Sequence, residues 1–113
     1  MPDEASSLLK IVSGGQTGVD RGGLKAAIDS NLPHGGWCPK GRRAEDGVIP
    51  AEFELRETKT DRYEERTELN VIDSDGTLLF YRDEIVGGTR LTQRMARKHR
   101  RPLLELNLSD PLD

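Results

Sequence analysis

Three short segments of this sequence combine glycine with groups that bind oxyanions: Gly14-Gly15-Gln16-Thr17-Gly18, Lys40-Gly41-Arg42-Arg43-Ala44-Glu45-Asp46-Gly47 and Gly87-Gly88-Thr89. In the first, glycine lets the backbone take positive φ and lets a ligand approach closely. The helix expected beyond it aims unpaired N–H groups and a partial positive charge at the same place. Such a turn favours an anion, most often phosphate, although a purely structural turn has the same sequence. It matches neither the G-x-G-x-x-G nor the Walker pattern, so no named nucleotide fingerprint is met. The Gly87-Gly88-Thr89 turn repeats the arrangement, with Thr89 as an N-cap or as a hydroxyl donor to a ligand oxygen. In the segment between them, arginine forks suit oxyanions and Lys40 supplies a point charge. Glu45 and Asp46 either read ligand N–H and hydroxyl groups or pair with the arginines. Arg21 falls in the first turn of the expected helix, where a cation is unfavourable, which implies an anion close by. Tyr63, Arg66, Thr67 and Asn70 share one helix face by their spacing.

The elements that must position these groups follow from hydrophobic period. Residues 8–13 form a short apolar run ending at Gly14, as a buried strand would. A helix follows from Val19, with Leu24, Ala27 and Ile28 on one face; Thr17, three residues before Asp20, is its expected N-cap and Asn31 its close before Pro33. Further strands are expected near residues 36–38, 53–56, 77–81 and 103–108, with helices over 59–74 and 89–99. A polar loop is expected over 39–50. Alternating elements of these lengths predict an α/β fold with a parallel sheet of about five strands and helices on both faces. In such a sheet ligands bind at the C-terminal edge, where all three segments would meet, so that the two glycine turns grip opposite ends of one polar ligand.

The chain has 113 residues, 34% hydrophobic and 33% charged, with a net charge of -3. Its length fits a single domain with frayed tails at about residues 1–7 and 109–113. The acidic balance argues against a general nucleic-acid binder. No apolar run reaches bilayer length and no signal pattern opens the chain. One cysteine, Cys38, allows no internal disulfide, so a cytoplasmic location is expected, without membrane or nucleic acid. A thin core makes a homo-oligomer a natural supplement. His34, His99 and Cys38 form no recognisable metal set, and no nucleophile elbow occurs. The basic run ending the last helix, Arg97 to Arg101, complements the helix dipole, with nucleic acid or a partner surface as the lesser explanation.

The motif Ile11-Val12-Ser13-Gly14-Gly15-Gln16-Thr17-Gly18-Val19-Asp20-Arg21 resembles the opening of the molybdenum cofactor carrier proteins. The resemblance continues through residues 36–47, at Tyr63, Arg66-Thr67, Asn70-Val71, Asp73-Ser74-Asp75 and Gly87-Gly88-Thr89. It implies a Rossmann-like three-layer α/β/α domain related to the LOG-type, lysine-decarboxylase-like superfamily. It also implies an oligomer, dimeric or tetrameric, that binds and stores molybdenum cofactor (molybdopterin), a phosphorylated pterin, and exchanges it with molybdoenzymes or cofactor-synthesis proteins. The expected cofactor-binding residues are Gly14, Gly15, Gln16, Thr17, Gly18, Arg21, Lys40, Gly41, Arg42, Arg43, Glu45, Asp46, Arg66, Gly87, Gly88 and Thr89, with no catalytic residue and no metal ligand. Members of that family generally continue past the strand ending near Leu108, whereas this sequence stops at Asp113. The related LOG enzymes resemble Gly-Gly-x-Gly-Thr-x-x-Glu, in which the glutamate does acid/base work. Here the residue three after Thr89, where that glutamate would stand, is Thr92, with Gln93 next, so a carrier is favoured over a nucleotide-sensing module or a nucleoside-monophosphate phosphoribohydrolase.

Overall fold

The computed structural model describes residues 9–109. The tails expected at about 1–7 and 109–113, Ser109 excepted, and the strand start at Leu8 lie outside the described residues. The chain divides into two compact units, one ending at Arg66 and one beginning at Thr67. The described residues hold three α-helices, one 3-10 turn and short strands, a small mixed α/β protein.

The first unit opens with β1 (Ile11–Val12), α1 (Val19–Asp29), β2 (His34–Gly35) and β3 (Trp37–Cys38). Next come a 3-10 turn (Lys40–Arg42), β4 (Arg43–Ala44), β5 (Gly47–Val48), β6 (Arg56–Glu57) and the start of α2 (Tyr63–Ile72). β1 pairs in parallel with β2, Ile11 opposite His34, and β3 with β6, Trp37 opposite Arg56. The loop expected over 39–50 is instead a 3-10 turn followed by the antiparallel hairpin β4–β5, with Glu45 and Asp46 at its tip. The expected strand over 53–56 begins three residues later, at Arg56.

Helix α1 exists because Leu24 and Ala27 recur on one face and are buried there. Leu24 packs with Cys38, Ala44, Ile49 and Phe53 into the core of this unit, and Leu55 leans against it. The helix ends as expected at Asn31, whose φ of 56 reverses the chain. The N–H groups of Asn31 and Leu32 return to the carbonyls of Ile28 and Ala27 at 3.2 and 2.8 Å, a Schellman closure.

In the second unit, β7 (Thr77–Tyr81) pairs in parallel with β8 (Leu103–Asn107) along its whole length, from Thr77 opposite Leu103 to Tyr81 opposite Asn107. Between them runs α3 (Gly87–Lys98). Gln93 Nε2 donates to Glu105 Oε1 at 3.2 Å and Arg97 pairs with the same carboxylate at 3.7 Å. These contacts lay α3 on the ladder face that carries Glu105 and buried Leu79. Strand alternation puts Leu78 and Leu104 on the opposite face, where they are 60% and 55% exposed. α3 closes like α1: Arg100, at φ 54, and Arg101 return their N–H groups to Arg97 and Ala96 at 3.2 and 2.9 Å. Glu68 on α2 accepts from Lys98 and contacts His99 Nε2, both at 2.8 Å.

Strand pairing is parallel in three of the four ladders, but each ladder has two strands and no five-stranded sheet is linked among the described residues. Every described strand of the first unit is two residues long, so each ladder there rests on few backbone hydrogen bonds.

Candidate ligand-binding site

The turn at residues 14–18 joins β1 to α1, and side chains from three later segments fix its shape. Gly15 takes φ +77, and a Cβ there would meet Leu55 Cδ1 at 2.6 Å and Ile49 Cδ1 at 3.0 Å. The left-handed backbone, with these methyls packed against it, favours glycine at this position independently of any ligand. Gly18, at φ 82 and ψ -128, opens α1 with nothing within 4 Å of where a Cβ would stand. The expected N-cap, Thr17, does not cap: the turn places Gly18 in that position and no side chain caps the helix. Instead Asp20 reaches back, its Oδ2 accepting the Gln16 N–H at 3.1 Å. The N–H groups of Thr17, Gly18 and Val19 find no acceptor among the described residues.

Gln16, expected to face a ligand, is buried and joins the turn to the hairpin. Its Nε2 donates to the Arg43 carbonyl at 2.9 Å, and its Oε1 accepts the Glu45 N–H at 3.3 Å. Arg21 explains itself without a ligand. Its Nε donates to the Gly15 carbonyl at 2.9 Å and its two Nη atoms grip Asp46, both at 2.7 Å. The anion that its position implied is thus a carboxylate of this chain. Hydrogen bonding to Arg21 holds the Asp46 carboxyl below its ordinary range.

The arginines of the middle segment differ in role. Arg42 is spent on the backbone, its Nη2 donating to the carbonyls of Pro50 and Phe53 at 2.9 and 2.8 Å. Arg43 is half exposed and only loosely held, 3.5 Å from Asp61 Oδ2. Gly41 donates its N–H to Glu57 Oε1 at 2.6 Å, Lys40 donates its own to the Thr60 carbonyl at 3.0 Å, and the Lys40 side chain is exposed.

Arg43 and Arg66 stand over the ring of Tyr63, at 5.1 and 5.5 Å from its centroid, within cation–π range. Arg66 also crosses Gly14 so closely that a Cβ there would strike its Nη1. Its acceptor is Asp20 Oδ2 at 3.4 Å, and its buried Nε has no partner among the described residues. Burial pushes the Asp20 carboxyl above its ordinary value, the Arg66 charge opposing that shift. Asp20 was not among the expected site residues. Its place three residues after Thr17 suggested capping alone, and its contact with Arg66 joins residues 46 apart.

The third expected segment belongs to the second unit. Gly87 and Gly88 form the first turn of α3 itself, and the Thr89 hydroxyl donates to the Val86 carbonyl at 2.6 Å rather than capping the helix. Thr92 Oγ1 donates to the Gly88 carbonyl at 3.0 Å, and Gln93 is held by Glu105. Of the α2 stripe, Thr67 is buried. His34 Nε2 accepts the Glu54 N–H at 3.1 Å and Cys38 is a buried free thiol. Among the described residues no three His, Cys, Asp or Glu side chains gather as a metal ion would require, and no helix is long and apolar enough to cross a membrane.

The Circularly permutated YpsA SLOG family model matches residues 11–113, and the chain belongs to that family. A crystal structure at 1.45 Å of a protein from Syntrophus aciditrophicus SB, named as a molybdenum carrier, shares 47% identity with it at a TM-score of 0.88. The match covers 91% of this chain and 65% of that one, so this chain spans less than two thirds of the length of that relative. No curated protein matches the chain.

Proposed function

We propose that the first unit binds an elongated, phosphate-bearing ligand of the molybdenum cofactor class and holds it as cargo, without catalysis. The observation that carries this reading is Arg66, a guanidinium with a buried, acceptorless Nε laid across Gly14 beside the turn. An unsatisfied buried donor calls for a partner, and an oxyanion shared by Arg66 and the first N–H groups of α1 would supply it. Arg43 and Lys40 add movable positive charge. Gln16, Arg21, Arg42 and Asp46 serve by shaping the turn and the hairpin. The name of the Syntrophus relative supports cofactor as cargo. A cytoplasmic homo-oligomer, dimer or tetramer, that exchanges cargo with molybdoenzymes or cofactor-synthesis proteins belongs to the same proposal. So does a Rossmann-like three-layer arrangement around about five parallel strands.

One observation favours a second reading. Asp20 is a partly buried carboxyl with a raised pKa next to the turn, the kind of group that exchanges protons in an enzyme. The two readings part in one experiment. Saturable thermal stabilisation by molybdenum cofactor, with no product from a panel of nucleoside monophosphates, is the expected result. Hydrolysis of a monophosphate that disappears in Asp20→Asn would replace the carrier with an enzyme, and indifference to the cofactor would overturn the proposed cargo.

A further inference from the structure

From residue 90 to residue 101 the chain carries Arg90, Arg94, Arg97, Lys98, Arg100 and Arg101 and no acidic residue, although its net charge is -3. Arg90, Arg94 and Arg97 recur at i, i+4 and i+7, which places them in one stripe along α3, and all three are exposed. Arg97 pairs with Glu105, Lys98 with Glu68, and Arg101 Nη2 donates to the Ile72 carbonyl at 2.9 Å. The Arg90 and Arg94 side chains have no acceptor among the described residues.

Helix stability accounts for one end of this stripe only. Arg97 and Lys98 lie in the last turn, where cations complement the dipole. Arg90 lies in the first turn, where a cation opposes it. Arg90 with Arg94, and Arg94 with Lys98, are like charges at i, i+4, an arrangement that destabilises a helix. The stripe is thus maintained against the helix's own preference.

We propose that this outer face of α3 is a docking surface for an acidic stripe on another protein, gripped mainly by Arg90 and Arg94. The charge pattern selects that occupant. A long polyanion such as a duplex would extend past the stripe onto a chain with more acids than bases. A bilayer would find no apolar anchor in the stripe, because Leu91 and Met95 are half-buried and Ala96 is buried. A partner surface of the stripe's own length meets only its positive charge, and attraction of this kind is set by complementarity and screened by salt.

The test uses a labelled helical peptide with glutamates at i, i+4 and i+7, its glutamine counterpart, a short DNA duplex and phosphatidylserine-containing vesicles, read by fluorescence anisotropy or vesicle sedimentation. The glutamate peptide is expected to bind best and to weaken as salt rises. Arg90→Glu with Arg94→Glu should lose about tenfold or more, and the two glutamine replacements should fall between. The Tm of both double variants should equal or exceed that of the parent, and their affinity for the ligand of the first unit should be unchanged. Equal binding by the reversed variant, tighter binding of duplex or vesicle, or binding lost together with Tm would each overturn the proposal.

Discussion

Replacing Gly14 with alanine tests the ligand site through space. The new methyl would fall on Arg66 Nη1, with the Arg66 Cδ and Cζ atoms at 3.0 Å. Gly14 has no positive φ, so alanine suits the backbone there. The obstruction is the end of a flexible side chain, which swings aside while the turn stays. Swinging gives up a 3.4 Å contact with Asp20, a partly exposed pair that contributes roughly 0.5 kcal/mol. Against this, removing a glycine from the unfolded chain stabilises by about 0.4–1 kcal/mol. The Tm should therefore hardly move. Anion binding should suffer instead, because charge-assisted hydrogen bonds are worth about 1.5–3 kcal/mol, roughly tenfold to a hundredfold in Kd. Calorimetric titration with molybdenum cofactor reads the loss, and a cycle with Arg66→Ala assigns it. If Arg66 is the agent, adding Gly14→Ala to Arg66→Ala changes nothing further. Additive losses, or wild-type affinity in Gly14→Ala, would refute the placing of Arg66 at the ligand.

Asp20→Asn should keep the bond to the Gln16 N–H and remove a negative charge beside Arg66, tightening anion binding by about 1 kcal/mol, roughly fivefold. Because the folded-state pKa of Asp20 is raised, its contribution is complete below the ordinary carboxylate value and is lost as pH rises through the folded value. Urea melts should therefore show Asp20→Asn gaining on the parent as pH climbs through that window, and the opposite trend would contradict burial as the cause. Arg42→Ala should destabilise by about 1–3 kcal/mol by orphaning the Pro50 and Phe53 carbonyls and leave ligand affinity alone, whereas Arg43→Ala should do the reverse. Thermal melts beside the same titration separate them. Arg100→Gly should stabilise by about 1 kcal/mol, since a left-handed φ of 54 strains arginine and suits glycine; a lower Tm would show that the Arg100 side chain contributes something unseen.

What was legible in the sequence was local chemistry. Leu24 and Ala27 announced α1, Asn31 announced its close, and the apolar runs at 77–81 and 103–108 announced the longest ladder. Thr17 and Thr89 do not cap their helices, because a Thr followed by a polar residue three later is compatible with several turn shapes, and backbone φ at Gly18 and Gly87 decides between them. The division of labour among Arg21, Arg42, Arg43 and Arg66 was not legible. All four are equally basic on paper, and their partners, Asp46, the Pro50 carbonyl, Tyr63 and Asp20, become neighbours only when the chain folds. Asp20 escaped notice for the same reason.

The Gln16 amide has a mechanical consequence. By clamping the Arg43 carbonyl and the Glu45 N–H it makes the glycine turn and the β4–β5 hairpin one rigid body. Any opening of the hairpin tip must break both bonds together, so the Glu45 amide should exchange with deuterium in step with the turn rather than with its exposed neighbours.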